Sequence, residues 1–179
     1  ASPAKLQTIY YYSGINNGKY VWNYQTQNGV SGTFDDPTAR LGYPAHYKWN
    51  KFSVSESQPI AQIKLNINSP ELVIKQIVLI DNNNKYIPNI ALSSSNDEDN
   101  LQNIITQDEP SNYKDNFLSS TYFDEIFYAT TAYQYINKLN PYVAVHPPLG
   151  MLLIGIGIVI FGMSAFGWRF VPALASIAL

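Results

Sequence analysis

Three pieces of this sequence carry residues able to do chemistry. They are the acidic pair Asp124-Glu125, the run His146-Pro147-Pro148-Leu149-Gly150 about twenty residues downstream, and Arg169 inside the apolar stretch Phe166-Gly167-Trp168-Arg169-Phe170. Neighbouring residues on a helix point about 100° apart, so the two carboxylates cannot face one atom. One can act as a base while the other binds a metal, a hydroxyl or a guanidinium. The plain alternative is an acidic first turn that complements the helix dipole. Each proline fixes φ near −65° and restricts the residue before it, so His146 leaves a stiff loop. Pro148 suits the first turn of a helix, where a missing N–H is harmless. The alternative for His146 is a helix-start turn whose imidazole faces water or lipid headgroups. A charge at Arg169 is costly near hydrocarbon and needs a partner, for which phosphate is a natural choice. An interfacial arginine snorkelling beside a belt tryptophan is the plainer reading.

These groups need elements to position them. The spacing predicts a helix over Tyr122–Lys138, capped by Ser120 or Thr121, with Asp124 and Glu125 in its first turn, Lys138 in its last, and Asn140-Pro141 beyond it. Phe123, Phe127, Tyr128, Tyr135 and Ile136 give this helix a broad aromatic surface, suited to a lipid interface or to other helices. Leu149–Phe161 is apolar but holds 13 residues, short of the roughly 20 that cross a bilayer core. Gly162-Met163-Ser164-Ala165-Phe166-Gly167 interrupts it, and a second apolar run follows. A juxtamembrane helix followed by the start of a spanning helix keeps His146 and Arg169 on one side of a membrane. One unbroken helix would separate them by roughly 30 Å. Gly155 and Gly157 have no strand before them and no Lys-Ser/Thr after them, so they are read as allowing close helix packing rather than as a phosphate loop.

The N-terminal region reads as β. Aromatic runs at Tyr10–Tyr12, Lys19–Tyr24 and His46–Val54 are separated by the turn signals Asn17-Gly18, Asn28-Gly29, Ser31-Gly32 and Asp35-Asp36-Pro37. Ile60–Ile67 alternates like a half-buried strand, and Leu72–Ile80, denser in β-branched residues, is expected to be more central. Residues 1–92 are therefore read as an all-β sandwich or jelly-roll-like domain, loosely similar to galactose-binding-type sandwiches. Residues 93–119 are expected to form a polar linker, with a calcium loop at its acidic centre as the sharper alternative. Residues 120–179 are read as juxtamembrane helices and the start of a membrane helix.

Composition narrows the classes. The 179 residues contain no cysteine, so no disulfide staples the fold. A formal net charge of −2 argues against nucleic acid, which calls for a concentrated basic face. From Leu139 onward Arg169 is the only formally charged side chain. The polar opening has no signal-peptide pattern and the other end runs on apolar, so the chain is expected to be a fragment of a longer membrane protein.

Taken in order, Thr121-Tyr122-Phe123-Asp124-Glu125-Ile126-Phe127-Tyr128-Ala129, Val145-His146-Pro147-Pro148-Leu149-Gly150-Met151-Leu152-Leu153-Ile154 and Phe166-Gly167-Trp168-Arg169 resemble the first extracytoplasmic loop of the protein O-mannosyltransferase family. The transferases of aminoarabinose to lipid A are similar more distantly. The resemblance covers about residues 118–179 and leaves the β region outside it. It implies a fragment of a polytopic GT-C glycosyltransferase, its motifs on the extracytoplasmic face of a membrane, using a polyprenyl-phosphate sugar (mannose in this family) and a protein hydroxyl or lipid as acceptor. It implies Asp124 as the base, Glu125 in acceptor or metal binding, and His146 and Arg169 near the lipid phosphate. A divalent metal stays open. The sequence departs from the family at Met151, where a lysine often follows the His-Pro-Pro-Leu-Gly run. The isolated fragment is expected to be inactive. A second reading is a non-catalytic, membrane-tethered β-sandwich that binds glycan or peptide, with Trp22, Trp49 and tyrosines stacking on sugar rings.

Overall fold

A computed structural model describes residues 5–16, 18–41, 46–69, 72–88, 90–94, 101, 104–106, 108–114 and 116–178. The acidic run 97–99, the centre of the calcium-loop alternative, lies outside the described residues. Two compact units emerge, residues 1–45 with 49–113 and residues 46–48 with 114–179.

The first unit is built on two three-stranded sheets. One has the order β4-β1-β6, with β1 (Leu6–Asn16) between β4 (Lys48–Ser53) and β6 (Leu72–Asp81). The other has the order β3-β2-β5, with β2 (Tyr20–Thr26) between β3 (Ser31–Thr33) and β5 (Ile60–Ile67). β1 runs antiparallel to β6, with Ile9 opposite Leu79 and Tyr11 opposite Ile77. β2 runs antiparallel to both its neighbours. Strand side chains alternate between faces, and β1 uses both. Ile9 and Tyr11 enter a core with Tyr20, Trp22, Phe34, Phe52, Leu72 and Leu79. Tyr10 and Tyr12 pack on a second cluster with Trp49, Val78, Ile80 and Tyr113.

Several expectations need correction here. Leu72–Ile80 is an end strand, not a central one. Its apolar C-terminal half is covered on both faces, Leu79 in one cluster and Val78 and Ile80 in the other, while Val73 and Lys75 nearer its start are exposed. Ser31-Gly32, read as a turn, lies in β3; the turn before it is made at Gly29, whose φ of 82° favours glycine. Asp35-Asp36-Pro37 opens a short helix, α1 (Pro37–Leu41), rather than a turn alone. The Asp36 carboxylate accepts the Thr38 N–H at 2.9 Å, and Pro37 takes the first helical position. Trp22 and Trp49 are buried, so neither offers a platform for a sugar ring.

Among the described residues the second unit contains three helices, α2 (Glu125–Ile136), α3 (Pro148–Phe161) and α4 (Ala165–Ala178). α3 begins at Pro148, as the proline placement implies. The apolar region is broken after Phe161, as its glycines predicted. Gly162 has φ 78° and Ser164 starts the next helix, its hydroxyl accepting the Gly167 N–H at 3.2 Å. Close packing by the glycines is also observed. A Cβ on Gly155 would meet the Ile136 side chain at 2.8 Å, and one on Gly157 would meet the Gly167 carbonyl oxygen at 2.2 Å. Trp168, the belt residue of the plainer alternative for Arg169, is buried with Ala129, Ala132, Met151 and Ile158. Among the described residues no helix is long and apolar enough to cross a membrane.

α2 starts later than expected. Ser120 and Thr121 do not cap it, because the Thr121 hydroxyl donates to the His46 carbonyl at 2.8 Å. Phe123 takes φ 49°, which stops the helix from extending back to Tyr122. The residues fully enclosed are Ala129, Thr130, Thr131, Ala132 and Gln134, while Tyr128, Tyr135 and Ile136 of the aromatic surface pack, half-buried, against the helical cluster. The other end closes in a Schellman motif, with the Leu139 N–H on the Gln134 carbonyl (2.8 Å) and the Lys138 N–H on the Tyr135 carbonyl (3.1 Å). Lys138 therefore sits outside the last turn, at φ 57°, where glycine is usual. Lys138→Gly should raise the stability of this unit by about 0.5–1 kcal/mol, read as a higher denaturation midpoint at unchanged slope. An unchanged or lower midpoint would show that the left-handed lysine is not strained.

Candidate functional site

The acidic pair divides at the start of α2. Asp124 is the N-cap residue; it is exposed and makes no side-chain capping bond. Glu125, one residue on, is committed. Its Oε1 accepts from Arg169 Nε at 2.6 Å and its Oε2 accepts from the other arm of the same guanidinium at 2.6 Å. Oε2 also accepts the Tyr122 N–H at 2.9 Å. Arg169 donates further to the backbone carbonyls of Phe117 and Ser120. Burial pushes the Glu125 carboxyl up, but the Arg169 fork and the Tyr122 N–H outweigh it and leave the group below the usual glutamate range. A planar fork against a carboxylate is the strong form of such a pair. It ties the second turn of α4 to the first turn of α2 and to the chain just before it.

His146 is placed by a different set of contacts. After the Schellman turn the chain folds back along α2. The Tyr142 N–H donates to Gln134 Oε1 at 2.6 Å and the Val143 N–H donates to Thr131 Oγ1 at 3.2 Å. The Tyr142 ring stacks on Phe127 at 5.9 Å, and the His146 ring meets Tyr128 edge-on at 5.7 Å. Residues 134, 131 and 128 are spaced by three and form one stripe of the helix. They meet residues 142, 143 and 146 in that order, so the segment runs back toward the N-terminus of α2. Tyr128 is four residues, about 6 Å along the axis, from Asp124.

His146 lines an open apolar cleft of about 390 Å³ together with Tyr128, Pro147, Met151, Ile154, Val171 and Pro172. This volume is in the range of small-molecule sites. Asp124, Glu125 and Arg169 are not among the residues lining it. Of the four residues singled out from the sequence, the structure joins Glu125 to Arg169, leaves Asp124 exposed beside them, and puts His146 in the cleft. Among the described residues no three His, Asp or Glu side chains gather as a metal site would require. Met151, where the family often has lysine, is buried in the helical cluster, so its position here offers packing rather than charge.

Thr131, Gln134 and His46 had no sequence signal. His46 is fully buried in this unit, its carbonyl held by Thr121 and its ring set edge-on to Tyr142 at 5.0 Å. Burial lowers its pKa to about 4. An unfolded histidine takes up its proton near 6.5, so between pH 6.5 and 4 the unfolded chain binds more protons than the folded one. Stability should therefore fall as the pH drops through that window, by about 2 kcal/mol between pH 7.5 and 5. His46→Gln should flatten the dependence. An equally steep profile in that variant would assign the loss to other groups.

Over 63 residues, 32% of its length, the chain is 48% identical to polyprenol-phosphate-mannose–protein mannosyltransferase from each of two strains of Mycobacterium tuberculosis. The match spans 12% of those relatives' own length. No family model and no solved structure matches the chain. Over the aligned stretch the chain thus resembles the protein O-mannosyltransferases, the family its three motifs imply.

Proposed function

We propose that this chain is part of a membrane glycosyltransferase that moves mannose from a polyprenyl-phosphate donor to a protein hydroxyl outside the cytoplasm. The second unit carries the reactive groups, with α3 as a juxtamembrane helix and α4 as the start of a spanning one. The first unit is an extracytoplasmic β domain set ahead of the acidic motif, and the polar stretch 93–119 joins them with its part up to Tyr113 belonging to the β unit. The observation that carries the reading is the split of the acidic pair. Glu125 is consumed by Arg169, and that fork fixes the turn from which Asp124 projects with its carboxylate unengaged by the helix.

The chemistry asks for little more. An acceptor hydroxyl is a poor nucleophile until a base takes its proton, and Asp124 is the exposed carboxylate available to do so. The sugar's C1–O bond to the phosphate breaks as the hydroxyl oxygen forms its own bond to C1, and the phosphate leaves as a stable anion. Its charge needs hydrogen-bond donors or cations more than a general acid. His146, one helical turn from the level of Asp124, is assigned to the donor side of the site. Arg169 supports it indirectly, by fixing Glu125.

The test is transfer of mannose from polyprenyl-phosphate mannose to an acceptor peptide by the full-length protein in membranes, comparing wild type with Asp124→Asn. Loss of transfer with normal expression and insertion supports the reading; normal turnover by the variant refutes it. The tethered glycan-binding module is less favoured, because its two tryptophan platforms are buried in the β core.

A further inference from the structure

We propose that Thr131 and Gln134 are positioning residues: they form a template on α2 that returns the 142–146 segment to the catalytic end of the helix and sets the His146 imidazole at the mouth of the apolar cleft. The consequence for the reaction rests on the function proposed above, while the template itself rests on geometry alone.

Thr131 and Gln134 are buried polar residues in the middle of a helix, at 0% and 5% exposure. A buried hydroxyl and amide are costly unless they are paired, and a core position of α2 could hold an aliphatic residue instead. Both side chains turn their oxygen to the same stretch of backbone, accepting from consecutive N–H groups at 142 and 143. Those N–H groups lie beyond the helix and have no intrahelical partner. Besides the rings of Phe127 and His46 that meet Tyr142, these two acceptors are the polar contacts from α2 that hold the stretch along the helix. With them, the stretch is held at two successive residues, Tyr142 is stacked on Phe127, and the next stiff element, Pro147-Pro148, is reached with His146 against Tyr128. The double proline then feeds α3, so the imidazole is fixed from both sides: by the template before it and by the helix after it.

A template of this kind should act on donor binding more than on chemistry, because it touches neither Asp124 nor the acidic fork. The direct readout is spectroscopic. The chain contains two histidines, so ¹³C-labelled imidazoles give two sets of signals, assigned with His146→Gln in detergent micelles. The edge-on Tyr128 ring shifts the His146 signals, and Tyr128→Leu supplies the unshifted reference. Thr131→Val with Gln134→Met, which keep volume and remove both acceptors, should move the His146 signals to that reference. Thr131→Ser, which keeps the hydroxyl, should leave them at wild-type positions. Should the double variant lose helix content, Thr131→Val alone carries the comparison. Unmoved His146 signals in a folded acceptor-less variant would overturn the template.

The kinetic arm uses the full-length protein. The double variant should raise KM for polyprenyl-phosphate mannose by about tenfold, with kcat within about twofold. In a His146→Ala background it should raise KM no further. Full additivity with His146→Ala would overturn positioning through His146. If the imidazole moves while KM stays unchanged, the template stands and the assignment of His146 to the donor site fails.

Discussion

On the function proposed above, Asp124→Asn should lower mannosyl transfer by the full-length protein by about 10²–10⁴-fold, the range that a positioned base contributes. The substitution is nearly isosteric and the carboxylate is exposed without a capping bond, so the fold should tolerate it. The loss should appear in kcat, with KM for the donor little changed, since an interaction needed only in the transition state is removed. Glu125→Gln makes the informative contrast. It removes the charge that faces the Arg169 fork and weakens a pair whose two side chains are only about 30% exposed, at a cost of roughly 1–2 kcal/mol in the stability of the helical unit. Its transfer should fall only as far as the turn bearing Asp124 loosens. A Glu125→Gln variant as dead as Asp124→Asn at full stability would make Glu125 a direct participant, reversing the division of labour drawn from the fork.

The second large effect is structural. Gly157→Ala should destabilise the α3–α4 hairpin by about 2–4 kcal/mol, because the new methyl would lie 2.2 Å from the Gly167 carbonyl oxygen and backbone cannot give way as a side chain can. Gly167→Ala faces the same obstacle from the other side, at 2.1 Å from the Gly162 carbonyl. Gly150→Ala is the control. It sits in the same helix with nothing within 4 Å of its added methyl, so it should stabilise by about 0.5–1 kcal/mol through helix propensity. Denaturant unfolding followed by helical circular dichroism in detergent separates the three. Equal effects at 150 and 157 would show that the glycines matter for propensity and not for contact.

Much of the architecture was legible in the chain because it depends on local chemistry. Alternating aromatic and β-branched runs marked most strands of the β unit. Pro148 marked the start of α3, and the glycines at 155, 157 and 162 marked a close contact and a helix break. The string from Asp124 to Arg169 marked the resemblance to the protein O-mannosyltransferases. Density is a poor guide to position: Leu72–Ile80 is rich in β-branched residues, yet it is an end strand whose C-terminal half alone is covered on both faces.

The sequence by itself determined which residues could react and which segments could be helix or strand, since residue type, capping and periodicity act over a few positions. Only the tertiary structure decided how the reactive residues are shared out. Glu125 finds Arg169 across 44 positions, Thr121 gives its hydroxyl to His46 across 75 instead of capping α2, and Thr131 and Gln134 hold a returning strand of backbone that no local signal announces. Each of those choices satisfies a buried or half-buried polar group with a partner far along the chain. Such partners exist only once the helices have packed, which is why the free carboxylate at 124 and the committed one at 125 look alike in sequence and differ in the fold.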